Sequence, residues 1–147
     1  MPLLAGSTLY YEERGAKYYG IPVPRGTRMT EGAVADTCEA AGMRAVCAGD
    51  SNCRYSSSRC EVVHFETKTC GYTMYGLAKK VCGENTAAED CPRMDGLFSY
   101  LKGWEGGECG LLSGQKMPKG LYCVRGNSFT SGNPVPFYAY CVRKSNY

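Results

Sequence analysis

Apolar and polar positions along the chain change period several times, and each change marks an element. After Thr30 the apolar residues Val34, Cys38 and Ala41 recur at helical spacing. Thr30 reads as the N-cap, Glu31 lies in the first turn and Gly42 is placed to end the run, so the pattern predicts a helix over about 31–41. Met74, Leu77, Ala78, Val81 and Cys82 form a second apolar face, with Lys79 and Lys80 near the C-terminal end, where cations suit the helix dipole, and Gly83 as terminator. A second helix is predicted over about 73–82. Residues 61–65, 97–101, 121–125 and 137–143 alternate or concentrate Tyr, Phe and Val between Gly-rich turns, which predicts strands. The stretch 17–24 is also strand-like, but Pro22 and Pro24 confine it to a sheet edge.

Between these elements lie loops. Residues 44–60 hold three cysteines, a Gly-Asp-Ser-Asn turn signal at 49–52 and three consecutive serines at 56–58, the pattern of a loop pinned by disulfides. Residues 1–16 lack cysteine and read as an N-terminal arm, leaving 17–147 as one cysteine-rich domain. No internal repeat and no β-α-β alternation is present. The expected fold is α+β: a small disulfide-rich single domain, about two short helices packed on a short, mainly antiparallel sheet.

Composition fixes the setting. Ten cysteines, Cys38, Cys47, Cys53, Cys60, Cys70, Cys82, Cys91, Cys109, Cys123 and Cys141, are an even set suited to five disulfides, whose pairing spacing does not reveal. Zinc is disfavoured because no two cysteines stand in the tight knuckle a structural zinc site draws on. The chain is therefore expected to be secreted or extracellular. Met1–Gly6 lacks the basic start and the length of a signal peptide, so the expectation is a mature protein or one module of a larger one. No run is long enough to cross a bilayer. The net charge of +3 is mild and the basic residues are scattered, unlike the concentrated patch of a nucleic-acid binder. No Asn-x-Ser/Thr sequon occurs.

The chemistry expected of these residues is recognition rather than catalysis. The single histidine, His64, has no nucleophile or orienting carboxylate at a recognisable spacing, and no P-loop, H-E-x-x-H or G-x-S-x-G motif occurs. The carboxylate pairs Glu105 with Glu108 and Glu89 with Asp90 read as solvated loop residues. No cofactor is expected. Calcium is the one ion an extracellular loop could hold, through Asp50, Asn52, Asp95 or Glu105, but no Ca²⁺-loop motif frames them. Aromatic residues are the suggestive feature: Trp104, the one tryptophan, stands in a Gly-rich loop beside Glu105, and Tyr55, Tyr100, Tyr138 and Tyr140 read as exposed.

The cysteine frame carries a resemblance. Ile21-Pro22-Val23, Arg28-Met29-Thr30 and Thr37-Cys38-Glu39-Ala40-Ala41-Gly42-Met43-Arg44-Ala45-Val46-Cys47 open it. It continues through Val81-Cys82-Gly83, Cys91, Phe98-Ser99-Tyr100, Gly103-Trp104, Cys109-Gly110, Tyr122-Cys123-Val124-Arg125-Gly126-Asn127 and Tyr138-Ala139-Tyr140-Cys141. Over about residues 18–143 this resembles a cysteine-rich extracellular module repeated in mosaic proteins of marine invertebrate chordates, beside epidermal-growth-factor-like, sushi and hyalin-repeat modules. The resemblance implies no catalytic residue, and its companions imply adhesion or matrix assembly by association. The chain departs from that pattern in its Tyr-rich arm, at 115–119 and at 131–136.

Two functions are expected. One is a secreted module that binds glycan or an extracellular protein through loops, with Trp104, Glu105, Tyr100, Arg125 and Asn127 as ligand-binding candidates. The other is a structural subunit of a matrix or fibre that self-assembles through its arm, with Leu9, Tyr10, Tyr11, Tyr18 and Tyr19 adding to a neighbour's sheet edge.

Overall fold

The structure, a computed structural model, describes residues 4–47, 57–63, 77, 80–81, 96–100, 107–109, 123–124, 130–132 and 136–145. In chain order these hold β1 (Thr8–Glu13), β2 (Ala16–Pro22), α1 (Glu31–Ala40), β3 (Arg44–Val46), β4 (Cys60–Glu61), β5 (Leu97–Ser99), β6 (Gly107–Cys109), β7 (Cys123–Val124) and β8 (Tyr138–Lys144). Small disulfide-containing α+β is the class observed, with one bounded helix among the described residues where two were expected. Leu77, Lys80 and Val81 are also helical; the rest of the predicted 73–82 helix lies outside the described residues.

β8 is the hub of the sheet. Along its whole length it pairs antiparallel with β2, from Ala16 opposite Lys144 to Pro22 opposite Tyr138. On its other side it serves two strands in succession: β5 runs parallel to it at Tyr138 and Ala139, and β3 runs antiparallel at Cys141 and Val142. The sheet forks there, β3 passing to β4 through a parallel pair and β5 passing to β6 and β7 through antiparallel ones. At the fork the Tyr100 amide donates to the Val46 carbonyl at 2.9 Å.

Strand alternation gives this sheet two buried faces. Tyr19, Ile21, Ala45, Phe98, Ala139 and Cys141 point to the face covered by α1, whose Val34, Ala35 and Cys38 are buried against them. Tyr18, Val46, Leu97, Tyr140 and Val142 point the other way, where Leu77 is fully buried and Val81 packs at the margin. The residues expected as exposed aromatics therefore divide differently. Tyr140 is fully buried and Tyr100 is 7% exposed, because both lie where opposite faces of the sheet are covered; Tyr138 is half-buried, and Tyr55 lies outside the described residues.

α1 forms where the pattern places it. The Thr30 side chain accepts from the Ala33 amide at 3.1 Å, and its backbone is extended, as an N-cap requires. At the other end Gly42 takes φ +76°, its amide donates to Glu39 and the Met43 amide donates to Cys38 at 2.9 Å. This is a Schellman ending, and the buried Met43 supplies its hydrophobic contact.

Two expectations about the N-terminal region need correction. Residues 8–13, expected in an arm, form β1 of a hairpin, closed by Arg14 and Gly15 with φ of 53° and 79°, the backbone signs of a type I′ turn. Tyr18 and Tyr19 then belong to β2 and are buried. Nor is β2 an edge strand, since β1 covers one side and β8 the other. Pro22 is tolerated because the Val23 amide donates to Phe137 on the β8 side, so the position lacking an N–H faces the β1 side, and the β1 register ends earlier, at Thr8 opposite Gly20.

Disulfides Cys38–Cys141 and Cys47–Cys60 lock these layers. The first ties α1 to β8 across 103 residues of sequence, and closing a loop of that length stabilises the fold by ~4–5 kcal/mol on the chain-entropy account. Surface ion pairs add little beside this, about 0–1 kcal/mol each. One of them, Arg59, bridges Glu39 and Asp36 of α1, at 3.0 and 2.7 Å; its hydrogen bonds to Glu39 and then Asp36 raise its pKa above the usual value. Cys109 and Cys123 are register partners in β6 and β7. Cys53, Cys70, Cys82 and Cys91 lie outside the described residues.

Candidate functional site

β1 is the outer strand of the sheet and has no strand on its far side among the described residues. Its register slips by one residue between Leu9, opposite Tyr19, and Tyr11, opposite Tyr18. The extra residue is Tyr10, and this bulge lets Tyr10 and Tyr11 both pack against the second core face instead of alternating. Tyr10 lies across Gly20: a Cβ at that glycine would come within 2.9 Å of the Tyr10 hydroxyl oxygen, so the glycine is what admits the ring. The Tyr11 hydroxyl donates to Glu13 at 3.3 Å.

The large apolar side chains that remain exposed among the described residues are Leu4, at 58%, and Leu9, at 49%. Both belong to β1 and the segment leading into it. Glu12 and Glu13 stand at the other end of the strand, and with the bulge they supply the usual safeguards against indiscriminate edge pairing. The site thus combines a backbone edge with no neighbouring strand among the described residues, one exposed leucine on it and acidic side chains that limit which strand fits.

A second concavity, of about 580 Å³, lies between the outer flank of α1 and the 22–28 segment. Pro22, Pro24, Thr27, Thr30 and Thr37 are among its lining residues, and among the described residues no aromatic ring lines it. Ser131 is buried, its hydroxyl donating to the Val23 carbonyl at 2.9 Å and accepting from the Phe137 amide at 3.2 Å. Residue 131, placed by sequence in a divergent loop, ties the 23–28 segment to the start of β8.

The sequence-derived ligand residues are not gathered by the described structure. Tyr100 is buried beneath α1 and offers no surface. Trp104, Glu105, Arg125 and Asn127 lie outside the described residues, as do His64, Glu89, Asp90 and the remaining calcium candidates Asp50, Asn52 and Asp95. Of the assembly residues, Leu9, Tyr10 and Tyr11 do lie together on the outer strand. What sequence reading missed is the hairpin, whose signal was the Tyr-rich run before Arg14-Gly15. Among the described residues no group of three potential metal ligands converges, and no helix is long and apolar enough to cross a membrane.

No family model, no curated protein and no solved structure matches the chain.

Proposed function

We propose that the chain is an extracellular recognition module that engages a protein partner by adding a strand to the open edge of β1, the first partner to test being a second copy of itself. One observation carries the reading: the two exposed large apolar side chains among the described residues, Leu4 and Leu9, fall on this edge segment. Strand addition supplies affinity through main-chain hydrogen bonds and specificity through alternate side chains, and two equal edges meet about a two-fold axis. The disulfides support the extracellular setting. Light scattering across a concentration series should find a dimer that Leu9→Lys abolishes, since an edge lysine opposes strand addition. A wild-type chain that stays monomeric at the highest soluble concentration refutes self-pairing.

The second reading keeps a glycan partner and the loop candidates Trp104, Glu105, Arg125 and Asn127. It rests on the lone tryptophan in a Gly-rich stretch. A Trp104→Ala protein that folds and binds a glycan array like the wild type removes it.

A further inference from the structure

At the hairpin end of the sheet, charge is arranged against its own electrostatics. Lys17 on β2 is the register partner of Arg143 on β8, so two like charges stand directly opposite, a pairing that ordinarily destabilises a sheet. Neither has an ion-pair partner among the described residues, although acids are near. Glu61 is taken by Lys144 at 3.0 Å and Arg44 at 3.5 Å. Glu13 is taken by Lys80 at 3.9 Å and by the Tyr11 hydroxyl. Glu12, opposite Lys17 on its other side, forms no ion pair with it.

These two cations border a concavity of about 440 Å³ whose other lining residues are Glu12, Gly15, Tyr19, Lys144 and Ser145, so three cations and one carboxylate face it. Its volume falls within the range of small-ligand sites. Heads anchored on Cβ atoms about 5 Å apart are within reach of one tetrahedral group, to which a guanidinium can give two parallel N–H donors and an ammonium a point charge.

We infer that the Lys17–Arg143 concavity binds a tetrahedral oxyanion, and specifically the sulfate ester of a glycan. The bound anion offsets the like-charge repulsion that the empty site carries, and Ser145 adds a hydroxyl donor at the rim. The two cations lie on β2 and β8, with Glu12 of β1 on the wall beside them; the strand-edge reading is tested by Leu9→Lys and this one by Lys17 and Arg143, so either can fail without the other.

The test is binding of the oxidised protein to a sulfated heparin oligosaccharide, to the same oligosaccharide after desulfation, and to polyglutamate. The sulfated chain should bind, and Lys17→Gln with Arg143→Gln together should weaken it by about tenfold or more. The double variant Arg25→Gln and Arg59→Gln, with the same net charge, should bind as wild type. Sodium sulfate should displace the ligand at lower ionic strength than sodium chloride. Equal binding of the desulfated chain or of polyglutamate overturns the inference. So does an unchanged affinity of the Lys17 and Arg143 variant, or equal loss in the charge-matched control. Circular dichroism of each variant separates loss of the site from loss of the fold, and Lys17→Arg, which keeps the charge, should retain binding.

Discussion

Tyr140→Phe is the substitution for which the structure makes the sharpest demand. Tyr140 is fully buried in the second core face, its ring centroid 6.3 Å from that of Tyr18, and its hydroxyl has no hydrogen-bond partner among the described residues. A buried hydroxyl without a partner costs roughly 1–3 kcal/mol. Phenylalanine keeps the ring and removes only that oxygen, so the gain is reduced by the small gap it leaves, and about 1 kcal/mol of added stability is expected. For a chain of this size that raises the melting temperature by ~2–4 °C. Alkaline pH supplies an independent arm. Burial, and then the neighbouring Tyr18 and Tyr10, push the Tyr140 phenol well above its usual value of 10. Below pH 10 native and unfolded chains both hold the proton and nothing is lost. Above it the unfolded phenol releases its proton while the native one keeps it, so stability falls as pH rises, by up to ~1.4 kcal/mol per pH unit for one such group. Tyr140→Phe should flatten that decline, leaving the smaller share due to Tyr18, which burial also raises. Calorimetry on the disulfide-intact protein checks both arms. A variant destabilised by 1 kcal/mol or more, with an unchanged alkaline slope, would falsify the claim that this hydroxyl is unpaired.

Other substitutions probe the remaining joints. Ser131→Ala strands the Val23 carbonyl and the Phe137 amide of that linkage and should cost about 1–3 kcal/mol in denaturant unfolding; a change under about 0.5 kcal/mol would mean the hydroxyl does not join the two segments. Removing the long disulfide with Cys38→Ala and Cys141→Ala should cost ~4–5 kcal/mol, read as a fall in denaturation midpoint, whereas loss of the Arg59 ion pairs through Arg59→Gln should shift it by ~1 kcal/mol at most. Gly20→Ala should displace the Tyr10 ring and destabilise the hairpin by about 1–3 kcal/mol, detected as faster amide exchange in β1; wild-type exchange there would mean the ring does not lie over the glycine. Peptide mapping without reduction should recover Cys109 joined to Cys123, since antiparallel register sets their Cα atoms at bridging distance; either cysteine found with a different partner refutes it.

Local signals were legible and long-range ones were not. α1 could be read because Thr30, Glu31 and Gly42 act within a turn of the helix they bound. β5 and β8 could be read from their runs of Leu, Phe, Tyr and Val. β1 escaped because its turn is Arg14-Gly15 rather than Asn-Gly, and β3 because its three residues abut a dense group of cysteines. The prolines misled for a specific reason: a proline excludes a strand interior only if its missing N–H faces a partner, and for Pro22 that depends on where β1 stops. Tyr100 and Tyr140 looked like surface aromatics because nothing in their neighbourhood reveals that both faces of the sheet are covered. Lys17 and Arg143 are far apart in sequence, and only the β2–β8 register makes them neighbours.

The position of β8 also dictates an order of events during synthesis. β2, β3 and β5 all leave the ribosome before the strand they share, so their apolar faces wait without a native template, and Cys38 must remain reactive across the 103 residues that precede its partner. Cysteines made earlier meet one another first, and pairs such as Cys47–Cys60, close in sequence, close readily. Any premature bond to Cys38 has to be exchanged once Cys141 appears. Maturation should therefore be gated by thiol–disulfide reshuffling rather than by chain collapse, and a dithiol–disulfide isomerase should accelerate refolding from the reduced state far more than it changes the stability of the finished protein.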